Sequence, residues 1–361
     1  MNNERKNKLI ESMKKFNKKN KSEIFTFGDK IEKLEVIPTG IKSVDDFLGG
    51  GFKQGGHTIV WGMYSVGKTA LVLTTIANAQ KQGLTVCYVN TEKPIEPERF
   101  KFFGINLDEM VYIEAPENAE QALEAMRTLC KDKVIDLFVI DSTNGLCPKS
   151  VQEDKSGKER GLEKKNVASL ALTLSSFYNA VNALVFKSRA AIVWIGQSRT
   201  QGIGTFFTRA GLSGGNAQEF YAYQIMFMRR GQNSDAPTKK YKVYFYDSDK
   251  KLHYQTKNEV IGFDVVMRLD KTNSCKSKKE KSEIHIPFYY NTGFKAIQEQ
   301  EEIPIKIDAE NKEDYTEIEK TLIEKGILKN PFKSLKADCI IVDDVMPKKK
   351  KRGRPKKLDK S

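Results

Sequence analysis

Eight residues, Gly62-Met-Tyr-Ser65-Val66-Gly67-Lys68-Thr69, set two glycines, a lysine and a hydroxyl at the spacing of a phosphate-binding loop. Glycines let the backbone wrap so that its N–H groups point inward onto phosphate oxygens, and the N-terminus of a following helix adds the positive end of its dipole. In such a loop Lys68 neutralises the outer phosphates, and the Thr69 hydroxyl is a ligand for Mg²⁺. An acid on another strand must organise the water shell of that ion. Leu137-Phe-Val-Ile-Asp141 supplies one where a short apolar run ends, so Asp141 is read as a metal-site carboxylate rather than a cap. Glu92, just past the run Thr85–Val89, either orients and deprotonates an attacking water or is an acid on a surface loop. Spacing alone leaves both open. Gln197, past the run Ala191–Ile195, sets an amide where a sheet of this kind meets its ligand.

The most unusual stretch follows directly, from Ser198 to Asn216. It holds five glycines, Gly214 and Gly215 among them, two arginines, Arg199 and Arg209, and the adjacent pair Phe206 and Phe207. Mobile backbone, cationic flanks and an aromatic wedge suit single-stranded nucleic acid, with arginines on phosphates and rings on bases. An ordinary glycine-rich loop with its phenylalanines tucked into the core is the other reading. A second polar loop, Lys149 to Arg160, follows Asp141 on the same side of the expected sheet.

These residues need strands that end together. The runs Thr58–Trp61, Thr85–Val89, Met110–Ile113, Leu137–Ile140 and Ala191–Ile195 are short, apolar and bounded by turn residues. Segments of helical period lie between them: Thr69–Gln80, Ala119–Cys130 and Asn166–Val185. Buried strands alternating with helices predict an α/β fold with a mostly parallel sheet covered on both faces. Further strands at Gln224–Met228, Tyr241–Tyr246, Val265–Leu269 and Ile284–Phe288 predict an antiparallel extension. Ahead of the core, Leu9, Ile10, Met13 and Phe16 mark one stripe of a lysine-coated amphipathic helix.

Charge is unevenly placed. Residues 1–22 carry eight Lys/Arg against two Glu, and 347–361 carry nine against one Asp, which accounts for the whole net charge of +14. The 44 basic and 44 acidic side chains between them cancel, so the basicity belongs to two tails that suit a polyanion or stay solvated. No uninterrupted apolar run of about 18 residues occurs, which predicts no membrane span. The N-terminus has no apolar stretch of the kind a secretory leader carries. Five scattered cysteines (Cys87, Cys130, Cys147, Cys275, Cys339) without a CxxC pair argue against a disulfide framework or a zinc site and for a reducing compartment.

Taken in order, the motifs resemble those of the RecA family of recombinases over residues 8–293. Gly40-Ile-Lys-Ser-Val-Asp45 with the triple glycine resembles the entry to the ATP core, and the phosphate loop follows. Asn90-Thr-Glu92 resembles the family's strand-end catalytic glutamate, and Asp141-Ser142 its second nucleotide motif ahead of the first DNA loop. Gln197-Ser-Arg199 resembles its γ-phosphate-sensing glutamine, while Gly214-Gly215-Asn216-Ala217 closes the second DNA loop and sets Phe206 at the intercalating aromatic. Lys271 matches a lysine that reaches a neighbouring protomer's ATP. The resemblance thus implies a RecA-like P-loop ATPase using ATP and Mg²⁺, with Glu92, Lys68, Gln197 and Lys271 catalytic.

Departures are equally legible. Asn273 stands where the family has a second lysine, Arg99 where an aromatic stacks on adenine, and the Tyr223–Val260 region is longer than in bacterial relatives. The C-terminal part is short, and Lys348–Lys357 is basic where bacterial relatives are acidic. A divergent, phage-type member is the reading. Expected boundaries are 1–35 for a basic N-terminal oligomerisation helix, 36–293 for the core with two DNA loops, 294–346 for a small appendage, and 347–361 for a disordered tail. In that tail Arg352-Gly353-Arg354-Pro355 resembles an AT-hook for the minor groove; nuclear import is a minor alternative. The expected activity is an ATP-bound filament on single-stranded DNA that pairs and exchanges strands with double-stranded DNA, assisted by single-strand-binding and mediator proteins. Its expected place is the cytoplasm of a bacterial or phage-infected cell. An accessory RecA-like ATPase without strand exchange and a helicase on the same core are the alternatives.

Overall fold

The apolar runs become strands, some of the same length, such as Val86–Asn90, and some much longer, such as Ala191–Gln201. The computed structural model describes residues 2–21, 25, 27–31, 33–153, 169–201, 209–212, 214–246, 251–273, 283–294, 305–307, 312–325 and 327. In chain order the elements are α1 (Asn3–Asn20), β1 (Val36–Ile37), α2 (Lys42–Leu48), β2 (Phe52–Lys53), β3 (Gly56–Gly62) and α3 (Lys68–Lys81). Then come β4 (Val86–Asn90), α4 (Pro97–Phe103), β5 (Met110–Glu114), α5 (Ala119–Asp132), β6 (Leu137–Asp141), α6 (Lys149–Gln152), α7 (Ser169–Ser188) and β7 (Ala191–Gln201). The remainder is β8 (Arg209–Leu212), α8 (Asn216–Tyr221), β9 (Ala222–Arg230), β10 (Thr238–Tyr246), β11 (Leu252–Val260), β12 (Gly262–Thr272), β13 (Glu283–Tyr289), β14 (Ile305–Ile307) and α9 (Lys312–Glu324). They fall into two units, Met1–Arg230 with Val265–Ile286, and Gly231–Asp264 with Pro287–Ser361.

The first unit is built on a sheet of order β13-β12-β9-β3-β7-β6-β4-β5. Strands β9, β3, β7, β6, β4 and β5 run parallel, and β12 turns antiparallel to β9. Every residue of β4 and β6 is buried, as expected for strands covered on both faces. Trp194, Phe138, Met126, Phe177 and Tyr178 belong to the core cluster shared by the sheet, α5 and α7. Because β3, β4, β6 and β7 are parallel, their carboxyl ends lie along one edge: Gly62 pairs with Gln197, and Asn90 with Asp141.

Helix α7 bears on the expectation of no membrane span without overturning it. It has no unbroken apolar run, yet by length and composition it could cross a membrane, with a mean hydropathy of 1.3. Its serines, threonine and asparagines interrupt the run without lowering the average far. Leu174, Phe177, Tyr178, Val181 and Val185 on this helix are buried in the core cluster. The N-terminal helix α1 forms as its stripe predicts, capped by Asn2, whose side chain accepts from the Arg5 amide at 3.0 Å. None of its residues is buried.

In the second unit β10 and β11 form an antiparallel ribbon, β14 adds in parallel to β10, and Ile307, Ile318 and Leu322 are buried beside Val243 and Tyr244. The sequence boundary expected at 293/294 runs through this unit, because the partner strand of β10 lies at Ile305–Ile307. Cys87 and Cys130 are buried free thiols, pushed up to about 12 and about 11, and Cys147 is an exposed one. Cys275, Cys339 and the whole tail 347–361, with Arg352 and Arg354, lie outside the described residues.

Candidate nucleotide site

The loop between β3 and α3 needs its glycines for space as well as for conformation. Gly62 has φ 156°, and a Cβ there would lie 2.0 Å from the Met228 carbonyl oxygen. Gly67, at φ 91°, ends the loop in left-handed conformation and starts α3, while Tyr64 and Ser65 form its turn and Val66 is buried. Lys68 is buried, and its Nζ donates to the carbonyls of Met63 at 2.6 Å and Gly62 at 3.2 Å. Burial lowers its pKa, opposed by the charges of Asp141 and Glu92.

Opposite the loop, Asp141 Oδ2 accepts from the Thr69 hydroxyl at 2.8 Å and from the Tyr88 hydroxyl at 2.8 Å. Burial raises the Asp141 pKa most; the two hydrogen bonds oppose it, Glu92 raises it further, and Lys68 lowers it. Asp141 and Ser142 are joined by a cis peptide bond. Ser142 Oγ donates to Glu92 Oε1, and the same oxygen accepts from Gln197 Nε2 at 2.8 Å. The Gln197 amide donates to Asn144 Oδ1 at 2.9 Å. Thr91 ties the ends of β4 and β6 together, its hydroxyl donating to the Ser142 carbonyl at 2.6 Å and accepting from the Ser142 amide at 2.9 Å. At Gly145 any Cβ would meet the Thr91 carbonyl oxygen at 2.1 Å, which fixes glycine there.

A cavity of about 530 Å³ opens against this cluster, lined by Thr69, Asn90, Glu92, Glu96, Arg99 and Asp141 among others. The donor set fits its expected ligands: a buried ammonium and a helix N-terminus for polyphosphate, and a hydroxyl beside carboxylates for a hard, oxygen-seeking divalent cation. Four sequence-predicted groups thus come together: the loop Gly62–Thr69, Glu92, Asp141 and Gln197.

Others are placed apart. Lys271 Nζ donates to the carbonyls of Glu219 at 2.7 Å and Phe220 at 2.9 Å, in the last turn of α8. Burial lowers its pKa, opposed by Glu219. Lys271 is level with Ile225 and hence with Ile59, three residues before Gly62 on β3. Arg199 and Arg209 lie in the β7–β8 hairpin, paired with Gly211 and Gln201. The stretch read as a glycine-rich loop is regular at its two ends, where backbone pairing with Arg209–Leu212 extends β7. Phe206 and Phe207 lie outside the described residues. Gly214 and Gly215, at φ 106° and 85°, lead into Asn216 at the start of α8. A Cβ on Gly215 would approach Ala171 Cβ to 2.7 Å.

Tyr88, Ser142 and Asn144 are site residues that the motif spacing did not single out for these contacts. A tyrosine inside the buried run Thr85–Val89 was the available signal, because a buried hydroxyl needs a partner.

Comparison with known proteins agrees with this geometry. The family profile for the RecA N-terminal domain matches residues 7–248. Protein RecA of Streptomyces coelicolor is 35% identical over 213 residues, 58% of this chain and 55% of that protein. Protein RecA of Thermotoga petrophila is 34% identical over 216 residues, 59% of this chain and 58% of that protein. Protein RecA of a Methylobacterium species is 34% identical over 206 residues, 56% and 54% of the two chains. The chain therefore spans a little over half the length of these curated relatives. The profile match over 7–248 takes in the phosphate loop, both acids and Gln197, and the chain belongs to the RecA family.

Proposed function

We propose that the chain is a DNA-dependent ATPase that assembles as an ATP-bound helical filament on single-stranded DNA and carries out homologous pairing and strand exchange with duplex DNA in recombination and repair. The observation that carries this reading is the hydrogen-bonded line Ser142–Glu92–Gln197 at the strand ends beside the phosphate loop.

The roles follow from position. Backbone N–H groups of the loop and Lys68 hold the phosphates, Lys68 exchanging its two carbonyl partners for phosphate oxygens. Thr69 and Asp141 are the residues to hold Mg²⁺, which when bound neutralises phosphate charge. Glu92, held by Ser142 and Gln197, orients the attacking water and takes its proton. Gln197 lies on β7, which continues into the β7–β8 hairpin. A glutamine that leaves Glu92 for the terminal phosphate shifts the base of that hairpin. By linkage, DNA that orders the hairpin then tightens nucleotide to the same degree.

Lys271 is read as acting on another protomer. The strand register sets it about 10 Å along the sheet from its own Gly62, at three residues of about 3.3 Å each, and two strands away. It supports a site completed between subunits of a filament, in the cytoplasm of a bacterial or phage-infected cell.

A joint-molecule assay tests the reading. The chain with ATP, single-stranded DNA and homologous duplex should form joint molecules, and heterologous duplex should give none. DNA-stimulated ATP turnover without joint molecules would place it instead among accessory ATPases.

A further inference from the structure

The β10–β11 ribbon is used by neither the nucleotide site nor the single-strand loops. Its nine cross-strand pairs run from Thr238 opposite Val260 to Tyr246 opposite Leu252 without a register shift. At about 3.4 Å per residue that is roughly 30 Å. Strand β14 pairs with β10 on the side away from β11, which leaves β11 as the sheet edge among the described residues. Every residue from His253 to Val260 is exposed. Were either face of this strand covered, alternate residues would be buried. Both faces of β11 are therefore open to solvent along its length.

The chemistry on those faces is cationic and aromatic. Residues 238–260 hold six lysines against three acids. Alternation sets Lys240 and Lys242 on one face with Tyr254, Thr256 and Asn258, and Lys239 and Lys257 on the other with Tyr241, Gln255 and Glu259, the acid standing opposite Lys239. Lys242 Nζ stands 4.9 Å over the Tyr254 ring, and that ring is 56% exposed. Lysines by themselves would blunt an edge against strand pairing. Edge protection calls for neither an exposed tyrosine nor a row of amides.

We propose that the β10–β11 ribbon is a docking surface for duplex DNA. A major groove admits a two-stranded ribbon, the form β10 and β11 take outside Lys242–Tyr244, where β14 adds a third strand, and lysines on both faces then meet the phosphates of both strands. A single strand would engage one face and leave the other cations unmatched. With the β11 edge leading, the Gln255 and Asn258 amides are among the groups on that strand able to reach base edges. This rests on the DNA-directed reading above for its ligand class, but its duplex arm is tested without nucleotide.

The test compares the full chain, basic tail retained, with a Lys240→Gln/Lys242→Gln/Lys257→Gln variant, using anisotropy of labelled duplex and labelled single strand over a salt series. The variant should bind duplex about tenfold or more weakly at low salt, and the slope of log K against log salt should flatten by about 2.7, three contacts at about 0.9 each. ATP-dependent single-strand binding should be little changed. Unchanged duplex affinity and slope, or an equal loss on single strand, overturns the proposal. Lysine acylation on the unaltered chain provides a second reading: saturating duplex should protect Lys240, Lys242 and Lys257, and full reactivity there would also overturn it. A parent chain that hydrolyses no ATP would contradict the function proposed above and leave this comparison intact.

Discussion

Among the described residues, Lys68 has no hydrogen-bonded or ion-paired acid that could replace a phosphate. Its ammonium is buried, lowered in pKa, and satisfied by two loop carbonyls alone. Lys68→Ala should therefore abolish nucleotide binding and ATP-dependent assembly on DNA while leaving the thermal transition nearly in place; a titration with fluorescent nucleotide beside a melting curve checks it. Turnover at the parent level would contradict the placement. Lys68, Thr69 and Asp141 were legible in the sequence because one loop and one strand end have a recognisable spacing. Tyr88 was not legible as the partner of Asp141. It is level with Val139, so only the β4–β6 pairing brings it diagonally beside Asp141 on the same face. Ser142 and Asn144 reach Glu92 and Gln197 across loops whose meeting depends on the same strand order.

Strand β3 carries a second constraint at its other end. His57 is fully buried, its Nδ1 accepts from Trp194 Nε1 at 3.2 Å, and its Nε2 has no hydrogen-bond partner among the described residues. Burial brings its pKa down from 6.5 to about 3. Above 6.5 both folded and unfolded chains hold it neutral; below that the unfolded chain takes the proton first, so stability falls with pH. The loss should reach about 2 kcal/mol at about pH 5. His57→Gln should remove that part of the slope in denaturant titrations between neutral and mildly acid pH, whatever its effect at neutral pH. An unaltered slope would show that His57 is protonated inside the fold. At this scale the buried strands and long helices were legible from apolar runs and period. Strand β11 was not: Leu252–Val260 is exposed almost throughout, so no alternation marks it. The short helix α4, in Pro97–Phe103, is too brief for a period to declare itself.

For the whole molecule, the strand register places Lys271 away from its own phosphate loop, so each site is expected to need two protomers. Lys271→Ala and Glu92→Gln proteins should each turn over ATP slowly on single-stranded DNA. Mixed, they should exceed the average of the two, because a Glu92→Gln protomer lends its lysine to an intact Lys271→Ala site. A mixture that only averages would place Lys271 outside the reaction. The charge distribution was legible as two basic tails around a neutral centre, whereas the ribbon's local excess of lysine was hidden inside that neutral sum.

The most direct measurement is steady-state ATP turnover by the full chain with and without single-stranded DNA, parent beside Glu92→Gln. The parent should be silent without DNA and active with it. The variant should still bind nucleotide and assemble, with turnover lower by about 10²-fold or more, the scale of a lost general base. Turnover independent of DNA, or a Glu92→Gln protein as fast as its parent, would contradict the assignment of this site.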